Sequence, residues 1–215
     1  MGQEKRKIAY LVIGKEMNHL REYPFGEDSY IIGIDKGAYL LAKEGLLFDE
    51  AVGDFDSTSE NECKLVEAYA KKITKLTPMK DDSDTAYAYQ EYKDKADRIV
   101  LVGAIQGKRI EHFIANMFLL LKDEKISFAD ENSVIYSLSA RKAPYLFERK
   151  NAYYSFFPIE ESLLTLKGFQ YPLERKVLEK EDALGLSNEL LEERGSLLLE
   201  KGRLLVIETK KEANS

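Results

Sequence analysis

Two acids separated by one residue close an apolar run at Gly53-Asp54-Phe55-Asp56-Ser57. In extended chain, residues i and i+2 point to the same side, so the Asp54 and Asp56 carboxylates would stand close together. Like charges at that range push one pKa up unless a cation offsets them. Magnesium meets the need, because it binds through one or two carboxylates and completes its shell with water and phosphate oxygens. Gly53 permits close approach of backbone or ligand, and Ser57 is a residue type that caps a following helix. The five residues alone also read as a polar turn, since Asp, Ser and Gly are what turns use. A second acidic cluster, Lys80-Asp81-Asp82-Ser83-Asp84, shifts the balance toward metal and phosphate chemistry. Asp82 or Ser83 there could be an ordinary helix cap, and acids at a helix start complement its dipole. Capping does not account for the whole set. Asp81 and Asp84 could join Asp54 and Asp56 around a metal, with Lys80 offering a point charge to a phosphate oxygen.

A third stretch, Gly103-Ala-Ile-Gln-Gly107-Lys-Arg-Ile-Glu-His112, leads toward Asn116. Glycines after a buried strand allow a ligand to approach, and the next helix start favours anions. Arg109 could clamp a phosphate through two hydrogen bonds, which a lysine cannot do. His112 and Asn116 would lie one turn apart on one helix face. A lone histidine is ordinarily a core or capping residue, but its place beside Arg109 at a strand end also suits a site role.

The elements that must position these groups alternate. Strands are predicted at Ile8–Gly14, Tyr30–Asp35, Ala51–Phe55, Ile73–Thr77 and Arg98–Ala104. Helices are predicted at Lys36–Gly45, Ser59–Lys72 with a capping box from Ser59 to Glu62, Ser83–Lys93 and Glu111–Lys122. Such alternation implies a parallel sheet covered on both faces, with ligands beyond the carboxyl ends of the strands. Asp35, Asp54–Ser57, Lys80–Asp84 and Gly103–His112 all fall at those ends.

The pattern changes near Lys125. Short aromatic and β-branched runs follow at Ile126–Phe128, Val134–Leu138, Tyr153–Phe157, Leu163–Leu166, Leu197–Leu199 and Leu204–Ile207, with turn residues between them. This is all-β spacing. The expected organisation is an α/β domain over residues 1–124 and an all-β sandwich over 125–215.

Composition narrows the function classes. Of 215 residues, 44% are hydrophobic and 33% charged, enough for a sizeable core. The net charge of -6 argues against a nucleic-acid partner, which leaves a basic footprint. The one cysteine, Cys63, allows no disulfide within the chain and suits a reducing, cytoplasmic setting. Ile8–Ile13 is too short for a signal segment or a membrane span.

The order Asp35-x-Gly37, Gly53-Asp-Phe-Asp-Ser57, Lys80-Asp-x-Ser-Asp84 and Arg109-x-x-His112-x-x-x-Asn116 resembles the thiamine pyrophosphokinase family. The likeness continues at Gly168-Phe-x-Tyr171 and Leu186-Ser-Asn-Glu189, so it covers nearly the whole chain. It implies a nucleotide-binding α/β domain joined to a β-sandwich, working as a homodimer. It further implies Mg²⁺-dependent transfer of pyrophosphate from ATP to the thiamine hydroxyl, releasing AMP. On this resemblance Asp54, Asp56 and Asp81 are the metal ligands, with Lys80 and Asp84 completing the catalytic set. Asp35, Ser57, Arg109, His112 and Asn116 face the nucleotide. Ser187, Asn188 and Asp84 face thiamine, which would lie between subunits.

The chain departs from the family pattern at Gly107–His112, where Glu111 stands for a common aspartate and one extra residue precedes Arg109. Ser83 stands where threonine is common, and Ala86 where an acid is common. Two other readings are compatible with the residues: an Asp-x-Asp phosphatase or glycosyltransferase, and a binding sensor that kept the site without the rate.

Overall fold

The computed structural model describes residues 6–14, 19–56, 58–77, 83–105, 109–148, 152–180 and 182–211. The chain divides into two compact units, one ending at Asp130 and the other starting at Glu131.

The first unit holds strands β1 (Arg6–Val12), β2 (Ser29–Ile34), β3 (Glu50–Gly53), β4 (Ile73–Lys75), β5 (Ala96–Val102) and β6 (Ile126–Ala129). They are all parallel, in the order β6-β5-β1-β2-β3-β4. Helices α1 (Lys36–Lys43), α2 (Glu60–Tyr69), α3 (Asp84–Tyr92) and α4 (Ile110–Lys122) connect β2 through β6 in turn. A parallel sheet buried on both faces calls for continuous apolar strands, and Ile99–Val102 at the end of β5 is buried throughout. The chain runs from β1 outward to β4, then returns to β5 on the other side of β1. The order therefore reverses between β1 and β5, and loops leaving in opposite directions open a crevice at their carboxyl ends.

Ile126–Ala129, which the hydropathy pattern groups with the later strands, pairs parallel with β5 in the first unit. Its burial pattern explains the resemblance to either half, since Ile126, Ser127 and Phe128 are all buried.

At the amino end of β3, a carboxylate lies in the core. Glu50 accepts hydrogen bonds from Lys72 Nζ (2.7 Å), Thr74 Oγ1 (2.5 Å) and Tyr92 Oη (2.7 Å). Burial pushes its pKa up, but these donors outweigh that effect and hold it below the ordinary carboxylate value. Tyr92 is the last residue of α3, so this cluster fastens the far end of the helix whose first residue is Asp84.

The second unit is a β-sandwich. One sheet has the antiparallel order β12 (Gly185–Asn188), β9 (Ala152–Pro158), β14 (Arg203–Lys210), β7 (Ser133–Ser139). The other has β11 (Leu173–Leu178), β10 (Ser162–Lys167), β13 (Arg194–Lys201), β8 (Tyr145–Glu148). Both sheets feed one core: Phe156, Leu204 and Val206 from the first meet Phe147, Leu164, Leu166, Leu197 and Leu199 from the second. Phe147, Tyr154, Phe156 and Phe169 pack edge to face with ring centroids 5.6 to 5.8 Å apart, the geometry their quadrupoles favour.

Candidate functional site

Asp35, Asp54 and Asp56 follow the carboxyl ends of β2 and β3, which pair side by side in the sheet. Asp35 follows β2 with φ 48° and ψ −117°, a conformation that costs an L-residue free energy and persists where surroundings impose it. The surroundings here are specific. Asp35 N donates to Val52 O at 2.9 Å, and its carbonyl accepts from Ala38 N at 3.1 Å. Two residues on, Gly37 seats α1 against the end of β1: a Cβ there would lie 1.9 Å from Val12 O.

The Asp35 carboxylate lies over Gly53, where a Cβ would meet its Oδ1 at 2.0 Å. Only a bare α-carbon leaves room for it. The chain then turns tightly. Asp54 Oδ1 accepts from Asp56 N at 3.0 Å, Phe55 adopts φ 58°, and Thr58 N donates to Phe55 O at 2.9 Å. This is an Asx turn, in which the side chain stands in for a backbone acceptor. It commits one oxygen of Asp54 to the loop. The Asp56 carboxylate is exposed and makes no hydrogen bond among the described residues.

Helix α2 starts at once. Ser59 caps it, its Oγ accepting from Glu62 N, while Glu62 reaches back to Ser59 N at 2.8 Å. The capping box read from the sequence is present. Glu62 also receives Lys36 Nζ at 2.6 Å. Lys36 and Ser59 hydrogen bonds hold the Glu62 carboxyl down at about 2.

Asp84 opens α3 beneath the cap made by Ser83, whose Oγ accepts from Ala86 N at 3.1 Å. Arg109 precedes α4 and turns its guanidinium to Glu111, Nε to Oε1 at 2.6 Å, with both side chains exposed. That bond lowers the Glu111 pKa. His112 and Asn116 share α4 as the spacing predicts, His112 exposed and Asn116 buried. Ser57, Lys80 and Asp81 lie outside the described residues.

In the second unit, Ser187 adopts φ 53° on β12, and its N–H donates to Ser155 Oγ at 3.0 Å. Ser187 is exposed, as are Leu184, Leu186 and Leu191 in the same stretch of chain and Tyr171 in the loop that Asn188 meets. Asn188 is different, at 3% exposure. Its Oδ1 accepts from Tyr171 N (3.0 Å) and Glu189 N (2.9 Å), and its Nδ2 donates to Tyr171 O (2.9 Å). A buried amide engaged by backbone on both sides braces the Gly168–Tyr171 loop rather than presenting itself to a ligand. The motif reading could not separate the neighbours, because both are small polar residues in one tetrapeptide.

Among the described residues, no three Asp, Glu, His or Cys side chains form a group able to hold a metal by themselves. Asp54 and Asp56 nevertheless fit magnesium, a hard cation that takes one or two carboxylates and keeps positions for water and phosphate. The sequence reading missed Lys36 and Glu50. Lys36 was legible only as the variable residue of Asp35-x-Gly37, and Glu50 only as one polar residue before an apolar strand.

Comparisons with known proteins agree along the chain. The sequence model described as thiamin pyrophosphokinase, catalytic domain, matches residues 24–129. The one described as thiamin pyrophosphokinase, vitamin B1 binding domain, matches residues 143–204. The thiamine pyrophosphokinase of Bacillus subtilis (strain 168) is 33% identical over 187 residues, covering 84% of this chain and 87% of that protein. The crystal structure of the Bacillus subtilis enzyme matches with a TM-score of 0.83 at 31% identity, covering 95% of this chain and 100% of that one. The thiamin pyrophosphokinase from Geobacillus thermodenitrificans matches with a TM-score of 0.83 at 30% identity, covering 96% and 99%.

Proposed function

The chain belongs to the thiamin pyrophosphokinase family, and we infer that it carries out that family's reaction, making thiamine diphosphate and AMP from thiamine and ATP. The observation that carries the residue-level reading is the junction of two strand ends, with Asp35 seated on Gly53 and Asp54 and Asp56 in the turn that follows.

In this reading Asp54 and Asp56 hold Mg²⁺ together with Asp81. Held by these carboxylates, the ion would supply positive charge to offset that of the triphosphate. The thiamine hydroxyl oxygen forms a bond to the β-phosphorus as the bond to the bridging oxygen of AMP breaks. Asp84 accepts the hydroxyl proton. Lys80 and Arg109 supply positive charge where negative charge develops, the part of the work that dominates in phosphoryl-type transfer. Asp35, Ser57, His112 and Asn116 orient the nucleotide, and Arg109 leaves Glu111 to do its share. That exchange costs little, since an exposed ion pair contributes little.

Ser187 contacts thiamine from β12, where its N–H bond to Ser155 Oγ ties it to β9. The exposed Leu184, Leu186 and Leu191 of the same stretch suit a flat heterocycle and a second subunit. A homodimer is further supported by Ile110, Ile114 and Phe118, which are exposed along one face of α4. No described helix is long and apolar enough to cross a membrane, and the single Cys63 fits a cytoplasmic setting. The test is AMP release from ATP with Mg²⁺ and thiamine, with and without chelator. Thiamine-dependent AMP that disappears with chelator is expected; phosphate release without thiamine would overturn the reading.

A further inference from the structure

Lys36 and Glu62 are 26 residues apart and belong to different helices, yet they meet at 2.6 Å with side chains only 28% and 21% exposed. Lys36 is the first residue of α1 and directly follows Asp35. Glu62 sits in the first turn of α2, which follows the Asp54–Asp56 turn. Its two oxygens are divided: Oε1 receives Lys36, while Oε2 receives both Ser59 N (2.8 Å) and Ser59 Oγ (2.9 Å). A capping box is complete with Ser59 and Glu62 alone. The added lysine ties that cap to the neighbouring strand end.

We propose that Lys36 and Glu62 are positioning residues that set the separation between Asp35 and the Asp54–Asp56 turn, and with it the grip on a divalent cation and its triphosphate. This rests on the metal and nucleotide reading given above. Only Ser57 and Thr58 separate Asp56 from the capped Ser59, so a shift of the α2 start passes directly to the acids. Among the described residues, the Asp54 turn is held by one carboxylate-to-backbone bond and one 2.9 Å turn bond. Like charges facing a common ion repel before it binds, so an outside tie is needed to keep them in place. Neither Lys36 nor Glu62 touches the substrate in this account. They act through Asp35, Asp54 and Asp56.

The test uses the full chain as Lys36→Met, Glu62→Gln and Lys36→Arg. Glutamine keeps the capping box and removes the charge that Lys36 meets, while arginine keeps the tie. Two readouts are independent of turnover: Mn²⁺ affinity in the presence of α,β-methylene-ATP, and amide hydrogen exchange over residues 54–59. Lys36→Met and Glu62→Gln are expected to weaken Mn²⁺ binding about tenfold and to speed exchange in that segment. They should raise half-saturating Mg²⁺ in the turnover assay by a similar factor, with kcat at saturating Mg²⁺ nearly unchanged. Lys36→Arg should stay within about twofold of the parent. Parent-like Mn²⁺ affinity and exchange in Lys36→Met would overturn the proposal, as would a lowered melting temperature with unaltered metal dependence. The unsubstituted protein serves as the separate control. If it binds Mn²⁺ and nucleotide but makes no AMP from thiamine, the assigned reaction fails while the positioning result stands.

Discussion

Asp35 Oδ1 occupies the space where Gly53 would carry a side chain: a Cβ built on Gly53 would lie 2.0 Å from it. Two loops from different strands therefore meet at one point, immediately before the Asp54–Asp56 turn. The strained backbone of Asp35, at φ 48° and ψ −117°, belongs to the same arrangement, because its N–H is held by Val52 O one residue before Gly53.

Gly53→Ala should break this contact. Overpacking at that site is expected to cost about 1–3 kcal/mol. Displacing Asp35 should lower kcat/KM by about 10²-fold, as small misplacements of orienting groups do. Denaturant melts and steady-state AMP release check the two parts separately. A variant that turns over like the parent would show that the contact does not position the acids.

Asp56→Asn should abolish turnover without disturbing the fold. The Asp56 carboxylate is exposed and makes no hydrogen bond among the described residues, so a surface change of about ±0.5 kcal/mol in stability is the most to expect. The loss of metal grip should lower kcat/KM by at least about 10²-fold. Circular dichroism and titration of activity against Mg²⁺ distinguish this from unfolding. Asp54→Asn differs in kind, since Asp54 also supports the turn through Asp56 N.

Adjacent residues on β12 should respond oppositely. Asn188→Ala leaves part-buried backbone groups of Tyr171 and Glu189 without the buried Asn188 amide, a loss of about 1 kcal/mol or more that falls on the second unit. Ser187→Ala should leave stability alone and raise the KM for thiamine by roughly tenfold or less, the value of one hydrogen bond. Thermal melts and thiamine titrations of the two variants check the contrast.

Acid should weaken the protein partly through Glu62. Its folded carboxyl titrates at about 2 against an ordinary 4.5, because Lys36 and Ser59 bond its charged form. On lowering pH the unfolded chain takes up this proton first. The stabilisation from Glu62 is therefore complete above about 4.5 and is lost progressively as pH falls toward 2. Glu62→Gln should flatten that part of the stability curve, read from chemical denaturation between pH 5 and about 2. An unchanged slope in Glu62→Gln would mean that other carboxylates carry the acid response.

The α/β half was readable because buried parallel strands announce themselves as unbroken apolar runs. Ile99–Val102 is one, and each such run ends where glycine or aspartate begins a loop. In the second unit the edges escaped notice. β11 reads Leu-Glu-Arg-Lys-Val-Leu, and four consecutive residues of it are exposed at the border of its sheet. β8 carries Leu146 outward, so its pattern does not separate an inner from an outer face. β12 is four residues long, with a register shift against β9. An edge strand is held by backbone pairing on one side, and backbone pairing leaves no mark in residue type.

By itself the order of residues settled which chemistry was available: acids, glycines and a capping box at strand ends, in the sequence that the family shares. It did so because strand and helix periods, turns and caps depend on neighbours only a few positions apart. Which groups meet was decided by tertiary structure alone. Asp35 reaches Gly53, Lys36 reaches Glu62 and Tyr92 reaches Glu50 only because β2, β3 and β4 lie side by side in one sheet. Those meetings span 18 to 42 positions of chain. They are fixed by the burial of strands and helices against one another, which depends on the summed packing of many side chains rather than on any one of the pair.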